Sequence, residues 1–226
     1  MRREIFIGKN EFKLAKNITS VAVELNVSDI SIYPDNVSVP IVRTAGKIDV
    51  TERYNEAVIK EMQPKVTGSF NHSSIFINNC VIYDCSFTSG SSRNIFYGHS
   101  GEEASVELIV PKKSQIQEFR VDLKSGNLTI SDLLFFKLVA KTMNGSINLH
   151  DIDLLFGRLK TMNGNIDVRI LESIINYRTY LKTLNGDMHK NTIETISPIL
   201  LDEKHELEAT SLNGDINVLF KGRRRK

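Results

Sequence analysis

Lys141-Thr142-Met143-Asn144-Gly145-Ser146-Ile147-Asn148-Leu149 is one of five versions of a single phrase in the second half of this chain. The others are Asp122-Leu123-Lys124-Ser125-Gly126-Asn127-Leu128-Thr129-Ile130, Lys160-Thr161-Met162-Asn163-Gly164-Asn165-Ile166-Asp167-Val168, Lys182-Thr183-Leu184-Asn185-Gly186-Asp187-Met188-His189 and Thr210-Ser211-Leu212-Asn213-Gly214-Asp215-Ile216-Asn217-Val218. With each glycine as position zero, +2 and +4 are apolar in four copies (Leu128/Ile130, Ile147/Leu149, Ile166/Val168, Ile216/Val218), while +1 and +3 are polar throughout. A period of two belongs to a strand with one buried and one wet face. Position −5 is apolar in every copy (Val121, Ala140, Leu159, Leu181, Ala209), so one strand runs in, the chain turns at the glycine, and a second strand leaves.

The glycines stand at 126, 145, 164, 186 and 214, giving spacings of 19, 19, 22 and 28 residues. Periods near 20 point to stacked coils. Asn-Gly between alternating strands also marks a type I′ hairpin, so an antiparallel β meander or sandwich is the alternative. Fixed offsets around every glycine favour the stack, where equivalent positions form ladders and sameness is rewarded. The expected fold is all-β, a β-helix or β-solenoid with Asn-Gly corners.

Towards the N-terminus the pattern weakens. Val21, Val23, Leu25, Ser28, Ile30 and Ile32 fit it with Ser28 in the glycine slot, and Val39, Ile41, Gly46, Ile48 and Val50 fit it again. Residues 1–220 therefore read as one repetitive domain, with degenerate coils over about 18–64, an irregular Ser/Asn/Gly-rich insertion over about 65–104, and regular coils over about 105–220.

The run Val106-Glu107-Leu108-Ile109-Val110-Pro111-Lys112-Lys113-Ser114, then Phe119-Arg120-Val121 leading into the first phrase and the successive Asn-Gly units, resembles the bacterial "putative adhesin" family of unknown function, the DUF4097-type domain. The likeness spans about residues 18–220 and is strongest from Val106 onward. It implies a solenoid-like all-β fold and a bacterial, envelope-associated setting, and it supplies no catalytic residue. Many family members follow a signal peptide or membrane anchor, and this chain departs from them in showing neither.

Composition fits a folded globular protein, with 41% hydrophobic and 25% charged residues. The net charge is +2, yet Lys221, Arg223, Arg224, Arg225 and Lys226 supply five positive charges at the end, leaving a body near −3. No segment approaches the roughly 20 apolar residues of a membrane span, so a cytoplasmic or peripherally envelope-associated location is expected. Cys80 and Cys85 are the only cysteines, too few for a structural zinc site, and read as two ordinary thiols, with a small disulfide loop or a redox pair as the alternatives.

Chemistry is not written here. His72, His99, His150, His189 and His205 share no spacing, and there is no His-Glu-x-x-His, Gly-x-Ser-x-Gly or phosphate-binding glycine loop. Gly98-His99-Ser100-Gly101 lies in loop-like sequence without an elbow or a positioned base. His150-Asp151-Ile152-Asp153 reads as a solvated turn, because the calcium β-roll repeat is missing. No catalytic, metal or cofactor residue is expected.

Stacking in register would place Asn144, Asn163, Asn185 and Asn213 in an amide ladder. It would also align Lys141, Lys160 and Lys182 at position −4 as an outward basic row. That row, with the basic tail Lys221, Arg223, Arg224, Arg225 and Lys226, is the candidate anion-binding surface, for an anionic membrane or polymer and without specific nucleic-acid recognition. The expected function is a non-enzymatic scaffold or adhesin-like binding module. The alternative is a cytoplasmic, bactofilin-like filament former that self-associates through its open solenoid ends.

Overall fold

The computed structural model describes residues 10–45, 48–61, 74–77, 80–83, 105–114, 116–193 and 205–222. The first strands are β1 (Asn10–Lys13), β2 (Ser20–Val27), β3 (Asp29–Asp35), β4 (Ile41–Thr44), β5 (Ile48–Arg53) and β6 (Glu56–Glu61). There follow β7 (Ser74–Ile77), β8 (Cys80–Tyr83), β9 (Ser105–Pro111), β10 (Glu118–Ser125), β11 (Leu128–Ser131) and β12 (Leu134–Asn144). The last are β13 (Ile147–Asn163), β14 (Ile166–Ile170), β15 (Tyr177–Asn185), β16 (Met188–Thr192), β17 (His205–Asn213) and β18 (Ile216–Phe220).

Two compact units result, residues 62–102 and the remainder. Of the smaller, β7 and β8 are described as an antiparallel pair with Ser74 opposite Tyr83; Cys85, His72 and the Gly98–Gly101 stretch lie outside the described residues.

The larger unit is a two-sheeted β-solenoid. Strands running into the corners form a front sheet in the order β5-β6-β2-β10-β12-β13-β17-β15, and strands leaving them a back sheet in the order β1-β4-β9-β3-β11-β13-β14-β18-β16. β13 belongs to both, its first residues pairing β11 and β14 and its last pairing β12 and β17. Every neighbouring pair among the five repeats is parallel and in register: Ala140 faces Val121 and Leu159, and Leu149 faces Ile130 and Val168. An antiparallel meander is thereby excluded.

Alternation explains the core. In the front sheet Phe119, Val121 and Leu123 turn inward, and in the back sheet Leu128 and Ile130 do so, as do their counterparts on the coils above and below. One coil alone has an apolar interior about one side chain thick. Stacking is what removes it from water, so stability is a sum over coil-to-coil contacts. The large residues stagger: Phe119 meets Phe135 edge-on at 5.1 Å, and at Gly157 a Cβ would stand 2.7 Å from a Leu154 methyl.

The Ser28 phrase is a true coil, with β2 parallel to β10 and β3 parallel to β11. The expected second early coil around Ile41 and Val50 is not. There β4 is antiparallel to β1 and β9, and β5 is antiparallel to β6. The chain turns back at Tyr54, in left-handed conformation with φ 54°, and these reversed strands finish one end of the stack. Gly46 lies outside the described residues. β6 and β9 then flank β2 and β3 as a further coil, so residues 62–104 join two strands that elsewhere are linked by a tight corner.

The other end departs from chain order. The Gly214 coil, β17 with β18, lies between the Gly164 and Gly186 coils. After β14 the chain therefore skips one place, through residues 171–176 and a 3-10 turn at Ile174–Asn176 capped by Ser173, and the chain's last strands fill the gap.

Candidate functional site

The Asn-Gly corner is held by three ladders. At position −1, Asn163 Nδ2 donates to Asn144 Oδ1, Asn213 to Asn163, and Asn185 to Asn213, each at 2.7 Å. The asparagine ladder is present, in stack order 144-163-213-185. At +1, each side-chain oxygen accepts the backbone N–H of the next coil: Asp29 from Asn127, Asn127 from Ser146, Ser146 from Asn165, Asn165 from Asp215, Asp215 from Asp187, at 2.6–3.2 Å. At −3 the inward hydroxyls of Thr142, Thr161, Ser211 and Thr183 donate to the glycine carbonyls of Gly126, Gly145, Gly164 and Gly214. Each coil thus bonds to polar atoms of its neighbour, which commits most of these groups to the stack.

The glycines are obligatory for the same closeness. Gly145 has φ +151°, and a Cβ there would stand 2.0 Å from the Gly126 carbonyl oxygen. The other four repeat the arrangement.

Outward positions of the front sheet are the remaining candidates. Lys141 and Lys160 are register partners. Lys182 is not beside them: its partner is Thr210, which in turn pairs Lys160. Toward the other end the row continues with Asp122, Glu24 and Lys60, the last two ion-paired at 2.8 Å. The basic row is therefore two adjacent lysines and a third one coil further on.

Lys221 does not belong to a tail. Its backbone N–H donates to Ile170 O at 2.8 Å, and its half-buried ammonium pairs with Asp151. Arg223, Arg224, Arg225 and Lys226 lie outside the described residues. The same pair accounts for Asp151, and Asp153 accepts from the Glu172 N–H at 3.0 Å, so the His150–Asp153 stretch is tied into the fold. Among the described residues no group of three His, Cys, Asp or Glu side chains is placed to hold a metal ion, and no helix is long and apolar enough to cross a membrane.

Two features emerge that the phrase analysis did not single out. Position −2 is an outward apolar row, Met143, Met162, Leu212 and Leu184, headed by Lys124. Its signal was the recurrence of Met and Leu where a solvated strand face calls for polar residues. In the Gly186 coil, Lys190 occupies the +4 core column beside Val218 and donates across to the Thr179 hydroxyl at 2.8 Å, a polar bridge over the end of the core.

The Nδ1 atoms of His150 and His205 are buried without a hydrogen-bond partner. His205 lies edge-on to Tyr177 at 5.0 Å, and burial holds its pKa below the usual imidazole value, with nearby Glu172 opposing the shift. Tyr177, buried and bonded to both Leu154 N and Leu154 O, has its phenol pKa pushed well up by the same desolvation.

Against known proteins the chain matches no curated sequence. In three dimensions it is similar to a "putative cell adhesion protein" from Clostridium sporogenes, with TM-score 0.55 and 11% identity over 95% of this chain and 99% of that one. A "putative adhesin" from Bacteroides fragilis is also similar, with TM-score 0.43 and 14% identity over 94% and 96%. At such identity the first likeness speaks to the fold alone. The family model described as Toastrack DUF4097 matches residues 83–225, which include all five repeat coils, and the chain belongs to that family.

Proposed function

We propose that this chain is a non-enzymatic binding module of the bacterial cell envelope, presenting fixed rows of side chains on a rigid two-sheet core. One observation carries the reading: polar groups at the corners are largely taken up by coil-to-coil bonds, whereas Lys141, Lys160 and Lys182 lie exposed on the outward front-sheet face, the first two on adjacent coils and the third beyond the coil of Thr210. Membership of the Toastrack family supports it. Arg223, Arg224, Arg225 and Lys226 extend the basic character toward an anionic membrane or polymer. Co-sedimentation with bacterial envelope fractions tests it. The full chain is expected in the pellet at low salt, less so with the three lysines changed to Gln or with residues 223–226 changed to Gln. A chain that stays in the supernatant refutes it.

A second reading, self-assembly through the solenoid end, is favoured by one feature. Among the described strands β15 pairs with β17 alone and β16 with β18 alone, so each has an outer edge that could template another strand. The Lys190 bridge weighs against it, since a continuing coil needs an apolar residue in that column. Sedimentation velocity over a concentration series separates the two: a species growing with concentration favours assembly, and a constant monomer removes it.

A further inference from the structure

We propose that Met143, Met162, Leu212 and Leu184 form an apolar edge by which the chain docks on an anionic lipid bilayer, with Lys141, Lys160 and Lys182 one row behind meeting the headgroup phosphates. The proposal deepens the binding-module reading and rests on it. The four side chains stand on successive coils between register pairs at positions −3 and −1, such as Thr142 with Thr161 and Asn144 with Asn163, and are 41%, 38%, 39% and 71% exposed. At about 4.8 Å per coil they make a straight row about 14 Å long. Stability does not call for apolar groups there: on the back sheet the outward +3 column carries Thr129, Asn148, Asp167, Asn217 and His189. Apart from Met188 and Ile193 at the last coil, the exposed large apolar side chains of the described residues stand on front-sheet strands or their connections.

Position and charge select the occupant. The row lies two residues before each corner glycine, where the chain turns from one sheet to the other, so its outward side chains form a convex edge. A folded partner needs a complementary concavity, whereas a bilayer interface accepts a protruding apolar edge at headgroup depth. The lysines stand two residues back along the same strands, about 7 Å away, and their aliphatic stems reach past the apolar row to the phosphates. Lys124 continues the apolar row with a positive charge. Of the acidic groups near the row, Asp122 stands beside Lys141 and Glu208, further back on the front sheet, is paired with Arg158 at 2.7 Å, while Asp187 and Asp215 lie across the corner on the back-sheet side, where Asp215 accepts from the Asp187 N–H. A negative surface therefore attracts the front margin of the edge and repels the back one, which fixes the docking orientation.

The chain contains no tryptophan, so a single Met162→Trp substitution reports on the row without background. With vesicles of phosphatidylglycerol and phosphatidylcholine, Met162→Trp emission is expected to shift to the blue and to be quenched by brominated acyl chains, while Asn148→Trp on the back sheet stays unchanged. Vesicles of phosphatidylcholine alone should leave both unshifted. Changing Lys141, Lys160 and Lys182 to Gln together should lower the partition coefficient about a hundredfold, at about fivefold per lysine, with the circular-dichroism melt unchanged. Met162→Trp emission that stays wet on anionic vesicles, or an equal shift at both positions, overturns the proposal. So does a shift that grows with protein concentration in the absence of lipid, which assigns the edge to a second copy of the chain. If the chain sediments with envelope fractions while Met162→Trp is unmoved by vesicles, the lipid edge fails and the binding module stands.

Discussion

Replacing Gly145 by alanine should be among the most damaging single-atom additions the chain can receive. The residue has φ +151°, a conformation a side chain rarely adopts, and its new Cβ would stand 2.0 Å from the Gly126 carbonyl oxygen and 2.6 Å from the carbonyl carbon. Both are backbone atoms of the adjacent coil, so no rotamer change relieves the contact. Relief requires the two coils to part by about 1 Å or more at the corner. That stretches Gly126 N to Asn144 O and Leu128 N to Ser146 O, each 2.9 Å, and Ser146 N to Asn127 Oδ1, 2.8 Å, beyond useful hydrogen-bond length. Two or three such bonds at about 1 kcal/mol each, with about 1–3 kcal/mol of backbone strain, give a loss of about 3–6 kcal/mol. At about 2–4 °C per kcal/mol for a chain of this size, the melting temperature falls by about 6–24 °C. Gly186→Ala is the internal comparison. Its Cβ would lie 2.4 Å from the Gly214 oxygen, but β15 and β16 have no described coil on their far side and can lift away, so about half the effect is expected. Thermal melts followed by circular dichroism compare the two. A Gly145→Ala melt within about 2 °C of the parent would falsify the corner-contact argument.

Four further substitutions probe the ladders, the core and the buried imidazole. Asn163→Asp keeps the acceptor for Asn213 but replaces the donor to Asn144 Oδ1 by a second oxygen, so it should cost about 1–3 kcal/mol by denaturant titration; a neutral result would mean the ladder contributes nothing. Ile166→Asp puts a charge where exposure is 0% and should abolish the cooperative transition, whereas Asp167→Ala, which frees only the Asn217 amide bonded at 2.8 Å, should cost under about 1 kcal/mol; the reverse order would invert the inward and outward faces. His205 has its folded-state pKa lowered by burial, so as pH falls the unfolded chain takes up the proton first. Its contribution to stability is complete above the unfolded value of about 6.5 and is lost as pH falls from there toward the folded value. His205→Phe should flatten that part of the stability–pH curve, and an unaltered slope would place the titration elsewhere.

Much of this architecture can be read from offsets alone, and the reason is physical. Parallel in-register stacking makes each position of a coil touch the same position of its neighbours, so Val121, Ala140, Leu159 and Ala209 declare a common core column and Asn144, Asn163, Asn185 and Asn213 a common ladder without any pairing information. The reversed strands β4 and β5 escape that logic. Ile41 and Val50 alternate like a coil, but alternation carries no strand direction, and the turn at Tyr54 that reverses the chain is not a glycine. Charge clustering makes Lys221 read as the start of a tail, but its carboxylate partner is 70 residues away at Asp151, a separation that no local pattern encodes.

Stack order is the harder problem, since shared columns let any coil sit on any other. Spacing offers a partial clue: 22 residues instead of 19 between Gly164 and Gly186 supply the three extra residues that carry the chain past one place. Side chains supply the rest. The Gly214 coil fills its core columns with Leu207, Ala209, Ile216, Val218 and Phe220, all buried, and can be covered on both sides. The Gly186 coil offers Thr179 and Lys190 to two of the same columns, opposite Leu207 and Val218. Burying Lys190 between two coils would desolvate an ammonium with one hydroxyl for a partner, a cost of several kcal/mol, so only the end of the stack can take that coil, and the Gly214 coil must come inside it. The order has a consequence for the surface. With Thr210 between Lys160 and Lys182, those two charges stand about 9.6 Å apart instead of about 4.8 Å, which roughly halves their repulsion in water. The same insertion places Leu212 between Met162 and Leu184, so the arrangement that interrupts the lysine row is the one that completes the apolar row beside it.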